Sequence, residues 1–245
     1  MLHKRIILFL FIMIFSFSAC SPDIAENTTS TPPQIIKIGL SPTLAYLKDP
    51  IAVCANQDAD YDILLLEKNS LDWIQESVDL IFTVQFAVPN VENTYLVDEL
   101  EIKIIASQDI SLNGLQIHEL QEIFNTEMVN PQAIGIPDSD TPLTIWGFEN
   151  GSDMAGLFKT QYGFVPQLPV DAYLAVSPQS VIEQINDTQH SVGYTLSSVI
   201  NDQVKVLPVA IEQAAPPIPV IASFMLPPSG TQQALIRCLQ ASPAE

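Results

Sequence analysis

The chain has 245 residues and a formal net charge of −19, from 9 basic and 28 acidic side chains. Such an acidic surface argues against nucleic acid and against anionic lipid headgroups as direct partners. It does not exclude an anionic ligand, because a closed site lined by backbone N–H groups can override a distant surface field. The length allows one domain of two lobes or two small domains.

The N-terminus predicts an export signal at residues 1–19. A basic start at positions 3–5 precedes an apolar run at 6–17, which is too short to span a bilayer and is followed by small residues. The Ser-Ala-Cys ending resembles a bacterial lipobox, which implies that Cys20 is lipidated and anchors the mature protein to a membrane, facing the periplasm or the cell exterior. An ordinary secretory signal cut near Ala19 is the alternative.

Residues 20–34 are rich in Pro, Thr and Ser and show no apolar periodicity. Such a composition cannot form a packed core, so it predicts a flexible tether. The tether would hold a folded body away from the membrane.

Strands and helices alternate after the tether. Strands are predicted at 35–39, 61–66 and 79–84, and helices from position 42 and at 70–76. This alternation is typical of βαβ units with a mostly parallel sheet. Ligands of such sheets bind outside the carboxyl ends of the strands. Thr83 and Gln85 lie at such an end and are therefore candidates for a cleft wall.

The first helix has a clear start signal in Ser41 and Pro42. Serine is a favoured N-cap, and proline suits the first helical position. Apolar residues then recur on one face, at Leu44, Leu47, Ile51 and Cys54. Pro50 predicts that this helix is kinked or split in two. Ser41 either caps the helix or offers its hydroxyl to a ligand.

The sequence at the centre of the chain predicts one α/β unit. An apolar helix face at 115–124 is followed by a polar loop, a strand at 143–148 and a tight turn at 149–151. A second helix opens at Ser152. The free N–H groups of such a helix start, together with its macrodipole, form a binding geometry.

This central unit carries a family resemblance. LNGLQIHELQEIFNTEMVN and LTIWGFENGSDMAGLF resemble the central part of phosphate-type substrate-binding proteins of ABC transporters. In that family an Arg-x-x-Gly-Ser-Gly-Thr turn follows the strand. Gly151 and Ser152 match it, whereas Phe148, Asp153 and Met154 stand where the family has Arg, Gly and Thr. The anion-binding motif is therefore degraded.

The resemblance implies an α/β fold of the two-lobed type 2 periplasmic-binding-protein class, with mixed sheets flanked by helices and two hinge crossings. Lobe 1 is expected at 35–110 and 198–245, and lobe 2 at 111–197, with closure about the Ser107 and Ser197 regions. The implied function is capture of a small ligand between the lobes for an ABC permease. The implied ligand-binding residues are Ser41, Thr43, Thr83, Gln85, Phe148, Gly151, Ser152 and Asp153.

Two questions about function stay open at this level. Phosphate or another oxyanion is the ligand that the family implies, but Trp146 and Phe148 favour stacking on a neutral or cationic organic solute. A lipid-anchored sensor module that has lost phosphate binding is the alternative to a transport function.

Cys54 and Cys238 remain once Cys20 is assigned to the lipid. An even pair in an exported protein predicts a disulfide, which would hold the C-terminal helix against the start of the fold. Two buried free thiols are the alternative.

The sequence offers no pattern for catalysis. It contains neither a Gly-x-Ser-x-Gly elbow nor a phosphate-binding Gly-x-x-x-x-Gly-Lys loop. After loss of the signal, His118 and His190 remain without acidic or cysteine neighbours at metal-ligand spacing. Glu149 and Asp153 are explained by solvation and helix capping. We therefore expect no enzyme activity, no metal and no cofactor.

Overall fold

The computed structural model describes residues 34–57, 61–68, 77–84, 92–125, 142–211 and 215–241. All of them belong to one compact unit, Pro33–Glu245. The predicted signal peptide, the tether up to residue 33, the lipidation site Cys20, the helix at 70–76 and Gln85 lie outside the described residues. None of the described helices is long and apolar enough to span a bilayer.

The strands that the structure describes are β1 (Gln34–Leu40), β2 (Tyr61–Glu67), β3 (Leu80–Val84), β4 (Asn93–Leu100), β5 (Ile102–Ala106), β6 (Leu115–Gln116), β7 (Thr144–Gly147), β8 (Tyr173–Leu174), β9 (Ser191–Leu196), β10 (Lys205–Leu207), β11 (Val209–Ala210) and β12 (Ile218–Phe224). The α-helices are α1 (Lys48–Ala55), α2 (Ile117–Asn125), α3 (Asp153–Tyr162), α4 (Pro178–Asp187) and α5 (Gly230–Ala241). Two short 3-10 helices are found at Pro42–Leu47 and Ser197–Val199.

The described strands form two five-stranded sheets and a two-stranded ribbon. The first sheet has the order β2-β1-β3-β12-β4, with β1 parallel to β2 and β3, and β12 antiparallel to β3 and β4. The second has the order β10-β5-β9-β7-β8, with β7 parallel to β8 and β9, and β5 antiparallel to β9 and β10. Both sheets are mixed, which confirms the predicted α/β class.

The first helical segment is split, as Pro50 predicted. A 3-10 helix at Pro42–Leu47 leads directly into α1. Pro50 is the third residue of α1, where its missing N–H costs no intrahelical hydrogen bond. The predicted apolar face is buried and packs into the core, and it comprises Leu44, Leu47, Ile51 and Cys54.

An aromatic cluster fills the core beside the second sheet. The ring of Phe158 on α3 lies 5.4 Å from that of Phe124 on α2 and 4.7 Å from that of Tyr194 on β9. Tyr194 is fully buried. It is thus a core residue that joins the sheet to both helices.

The chain enters the second sheet earlier than the sequence predicted. Only Glu101 separates β4 of the first sheet from β5 of the second. The bounds predicted for lobe 1, 35–110 and 198–245, include β5 and β10, and the predicted outward crossing is near Ser107. An apolar strand such as IKIIA is equally suited to either sheet, and its pairing with β9 decides the sheet to which it belongs.

The Ser197 region does lie at this crossing, because the Ser197 backbone N–H donates to the Glu101 carbonyl oxygen at 2.8 Å. The return to the first sheet follows β11 and precedes β12.

The structure pairs Cys54 with Cys238 in a disulfide, with the two Cα atoms 5.8 Å apart. The bridge joins α1 to α5, in agreement with the predicted pairing of these two cysteines.

Candidate ligand-binding site

A cavity of about 290 Å³ lies where three strands end. Its walls come from the segments that follow β1 of the first sheet and β7 and β8 of the second. The lining residues are Pro42, Thr43, Phe148, Glu149, Ser152, Asp153, Met154, Leu174, Ala175, Val176, Ser177 and Pro178. The cavity therefore has the position expected for a ligand site, at the carboxyl ends of parallel strands.

Four of the predicted ligand-binding residues line this cavity, and they are Thr43, Phe148, Ser152 and Asp153. Ser41 and Gly151 adjoin lining residues in the chain without lining the cavity themselves. Thr83 does not line it either. Its side chain is buried, and β12 pairs with β3 along this end, with Ile221 opposite Thr83.

The turn between β7 and α3 has the predicted form. Gly151 has a φ of +93°, a backbone conformation that residues other than glycine rarely adopt. Ser152 is the N-cap of α3, and its Oγ accepts a hydrogen bond from the Ala155 N–H at 3.3 Å.

The N–H groups of this turn, however, are largely used within the protein. The Ser152 N–H donates to the Glu149 carbonyl oxygen at 3.1 Å, and the Gly156 N–H donates to the Ser152 carbonyl oxygen at 3.2 Å. The Gly156 bond is the first regular hydrogen bond of α3, so the N–H groups of the turn and helix start that these bonds satisfy are those of Ser152 and Ala155.

The cavity also borders a helix start that the sequence analysis missed. Ser177 and Ser180 form a capping box at the start of α4, with each side chain accepting a hydrogen bond from the other's backbone N–H. Pro178 occupies the first helical position. The Ser-Pro signal is the same as at Ser41-Pro42, so the sequence did contain the information to find it.

Ser41 occupies the N-cap position of the first 3-10 helix but does not cap it with its side chain. The Leu44 N–H donates instead to the Ser41 backbone carbonyl at 2.9 Å. The Ser41 side chain is fully buried, and its Oγ has no hydrogen-bond partner among the residues that the structure describes. A buried hydroxyl without a partner is costly, so this position beside the cavity is unusual.

The charge of the cavity is negative. Among the lining residues that the structure describes, Glu149 and Asp153 are the charged ones, and none is a lysine, arginine or histidine. Tyr194, whose ring lies 5.3 Å from that of Phe148, adds no charge. Burial raises the pKa of its hydroxyl well above the usual range, although the Phe148 backbone opposes this effect, so the phenol stays neutral.

Trp146 does not have the position that we expected. Its ring stacks on Tyr173, with centroids 4.9 Å apart, and it does not line the cavity. Strand β8 pairs with β7 at Trp146 and supplies Tyr173 as its partner, whereas Phe148 follows the end of β7 and its ring packs on Tyr194. Phe148 is therefore the aromatic residue that reaches the cavity.

A second cavity, of about 330 Å³, lies near the crossing between the sheets, and its walls include Glu101, Ile102, Gln161 and Tyr162. Its polar groups are satisfied internally. The Gln161 side chain both donates to and accepts from the Ile102 backbone, and the Tyr162 hydroxyl donates to the Ile102 carbonyl oxygen at 2.9 Å. It contains none of the predicted site residues, so the first cavity is the better candidate.

Within the described residues, no three His, Cys, Asp or Glu side chains lie close enough together to hold a metal ion.

Solved structures share this arrangement of sheets. The chain is similar to a protein from Clostridium perfringens, solved with bound phosphate and titled as a phosphate ABC transporter substrate-binding protein. The TM-score is 0.69 at 14% identity, over 84% of this chain and 93% of that one. An ABC-type phosphate transport receptor from Vibrio cholerae matches with a TM-score of 0.61 at 16% identity, over 84% and 93%. The fold is that of the type 2 periplasmic binding proteins.

The same fold occurs outside transport. The reduced OxyR regulatory domain from Pseudomonas aeruginosa matches with a TM-score of 0.61 at 12% identity, over 85% of this chain and 98% of that one. Neither the protein-family models nor the curated proteins include a match to this chain. At such identities the likeness establishes the type 2 fold, and function has to be argued from the cavity.

Proposed function

We propose that this protein is an extracytoplasmic solute-binding protein that captures a small ligand in the cavity between its two sheets. The observation that carries the proposal is the origin of the cavity walls. Thr43 follows a strand of the first sheet, whereas Phe148 and Ser177 follow strands of the second. A ligand that contacts both walls holds the two halves together, which is how a hinged binding protein couples capture to closure.

The hydroxyl groups at the cavity support this function. Thr43 and Ser152 contribute polar atoms to walls that are otherwise rich in apolar side chains, the composition that small-molecule sites usually have. The buried Ser41 hydroxyl precedes the cavity wall directly and has no partner among the described residues. A ligand that reaches it would supply the missing hydrogen bond.

We further propose that the captured solute is delivered to the membrane permease of an ABC importer. The titles of two structural neighbours name ABC transport of phosphate, and the N-terminus carries an export signal with a lipobox-like ending. Lipidation of Cys20 would keep the protein beside such a permease. A neighbouring permease and ATPase gene would support import, whereas a gene beside a sensor would favour the sensor alternative.

The anchor is tested by metabolic labelling of the full chain with radioactive palmitate. We expect the wild-type protein to be labelled and to fractionate with membranes. The Cys20→Ala variant should lose both the label and the membrane association, because acylation needs the thiol. Equal labelling of the two proteins would exclude Cys20 as the lipidated residue.

Ligand capture is tested with two matched tryptophan variants. Val176 lines the cavity and is 84% exposed, whereas Val170 is 96% exposed and lies outside it. Neither substitution disturbs the core. In thermal-shift assays with phosphate, sulfate, molybdate, amino acids and choline, we expect at least one solute to stabilise the wild type. Val176→Trp should weaken that binding by about tenfold, because the indole occupies part of the cavity.

Val170→Trp should leave the same binding unchanged within about twofold, since a distant exposed substitution seldom matters. If no solute stabilises the wild type, or if the two variants behave alike, this cavity is not the capture site.

A further inference from the structure

We propose that the cavity takes an organic cation, an ammonium group carried on a short carbon skeleton, rather than an oxyanion. This inference rests on the proposed capture of a ligand in the same cavity. It concerns the chemical class of that ligand.

The first argument for a cationic ligand is the charge of the residues that line the cavity. Glu149 and Asp153 both belong to the segment that follows β7, and no basic side chain is among the described residues that line the cavity. The chain as a whole has a formal charge of −19, so the long-range field also attracts cations and repels anions. An oxyanion entering the cavity would meet like charges without a compensating guanidinium or ammonium group.

The second argument concerns the hydrogen bonds at the two helix starts beside the cavity. Backbone N–H groups at a helix N-terminus are the usual means of binding an anion without basic side chains. At α3 the N–H groups of Ala155 and Gly156 both donate to Ser152, and at α4 the Ser180 N–H donates to Ser177. Asp153 in the first turn of α3 already complements the helix dipole. At each of these two helix starts, one N–H group that could favour an anion is therefore committed within the protein, at Ala155 and at Ser180.

The third argument is the apolar surface of the cavity walls. Phe148, Met154, Leu174 and Val176 line the same cavity as the two acidic residues. Apolar and aromatic surface suits the carbon skeleton of an organic cation, and an aromatic ring attracts an ammonium group through its quadrupole. A hydrated inorganic anion gains nothing from such walls. Negative charge and apolar surface together thus select an amphiphilic cation.

The sharpest test compares two molecules of one shape. Choline and 3,3-dimethylbutan-1-ol differ in that a quaternary nitrogen of the first is a neutral carbon in the second. We would titrate each, and inorganic phosphate, into the ¹⁵N-labelled full chain and follow the amide signals of residues 43, 148–154 and 174–177. Choline should bind about tenfold more tightly than the alcohol, and added salt should weaken its binding, because the difference is electrostatic.

Charge-removing variants assign the effect to the cavity. Glu149→Gln and Asp153→Asn should each weaken choline binding by about three- to tenfold without changing the affinity for the alcohol. Glu183→Gln is the matched control, since Glu183 is an exposed residue of α4 that does not line the cavity. It removes the same charge from the chain and should change choline binding by less than about twofold.

The outcomes separate this inference from the proposed function. Equal affinities for choline and the alcohol, or phosphate binding at these amides, would overturn the cationic class while leaving capture by the cavity intact. A response to choline that Glu183→Gln reduces as much as Glu149→Gln would also overturn it. If no probe perturbs these amides the inference fails, and the tryptophan variants decide separately whether the cavity captures any solute.

Discussion

Replacing both Cys54 and Cys238 with serine is expected to lower the free energy of unfolding by about 5 kcal/mol. The disulfide joins residues 184 positions apart, so it removes more entropy from the unfolded chain than a short-range bridge would. It also ties α5, the last described helix, to α1 near the start of the fold. Urea denaturation of the variant and the wild type, followed by circular dichroism, measures the difference.

Two controls separate the loss of the bridge from the loss of cysteine side chains. Wild-type protein in excess dithiothreitol should unfold at nearly the same urea concentration as the double variant. Cys20→Ser removes the third cysteine and should leave the stability unchanged, because only the other two form the bridge. If the urea midpoint of the wild type were the same with and without dithiothreitol, Cys54 and Cys238 would not be oxidised in the folded protein.

Gly193→Ala is expected to lower the free energy of unfolding by about 1–3 kcal/mol, because a methyl group has no space there. A Cβ at this position on β9 would lie 2.9 Å from the Trp146 backbone oxygen and 3.0 Å from side-chain carbons of Val181 and Ile185. The neighbouring strand and α4 therefore both have to move. Thermal and urea unfolding of the purified variant measures the loss.

The same substitution at Gly156 should have the opposite sign. This glycine is inside α3, and a Cβ built there meets no atom within 4 Å. Alanine should therefore raise the free energy of unfolding by about 0.5–1 kcal/mol, since it restricts the unfolded chain and favours the helix. If Gly193→Ala were as stable as Gly156→Ala, the packing of α4 on β9 would differ from that described.

The candidate site illustrates how a binding fold can keep its framework while the chemistry of the site changes. Gly151 and Ser152 preserve the backbone of the turn after β7, with its positive φ and its N-cap. The side chains around that turn are Phe148, Glu149 and Asp153, none of which neutralises an anion. Turn geometry and ligand charge are thus set by different residues, so a ligand cannot be inferred from the fold alone.

Much of the local structure followed from the sequence itself. The apolar face of Leu44, Leu47, Ile51 and Cys54, the split near Pro50 and the start of α3 after Ser152 all agree with the structure. Each depends on residues within a few positions of one another, through helical periodicity, the missing proline N–H and side-chain capping. Interactions of such short range can be predicted from the identities of neighbouring residues.

The assignment of strands to sheets required the tertiary structure. Strands β5 and β10 have apolar sequences that would suit lobe 1 as well. They belong to the second sheet because β5 pairs with β9 and β10 pairs with β5. Thr83 is not among the residues that line the cavity, and it pairs opposite Ile221 of β12. Trp146 stacks on Tyr173 of β8. All of these outcomes depend on partners more than twenty residues away.

Sequence therefore determined which segments become strands, helices and turns, and that two cysteines were available to pair. The tertiary structure decided which segments meet at the cavity, which N–H groups are already bonded, and that Glu149 and Asp153 line a cavity with no basic residue among its described lining residues. The physical reason is that backbone conformation responds to adjacent residues, whereas a binding site is made by contacts between segments far apart in the chain.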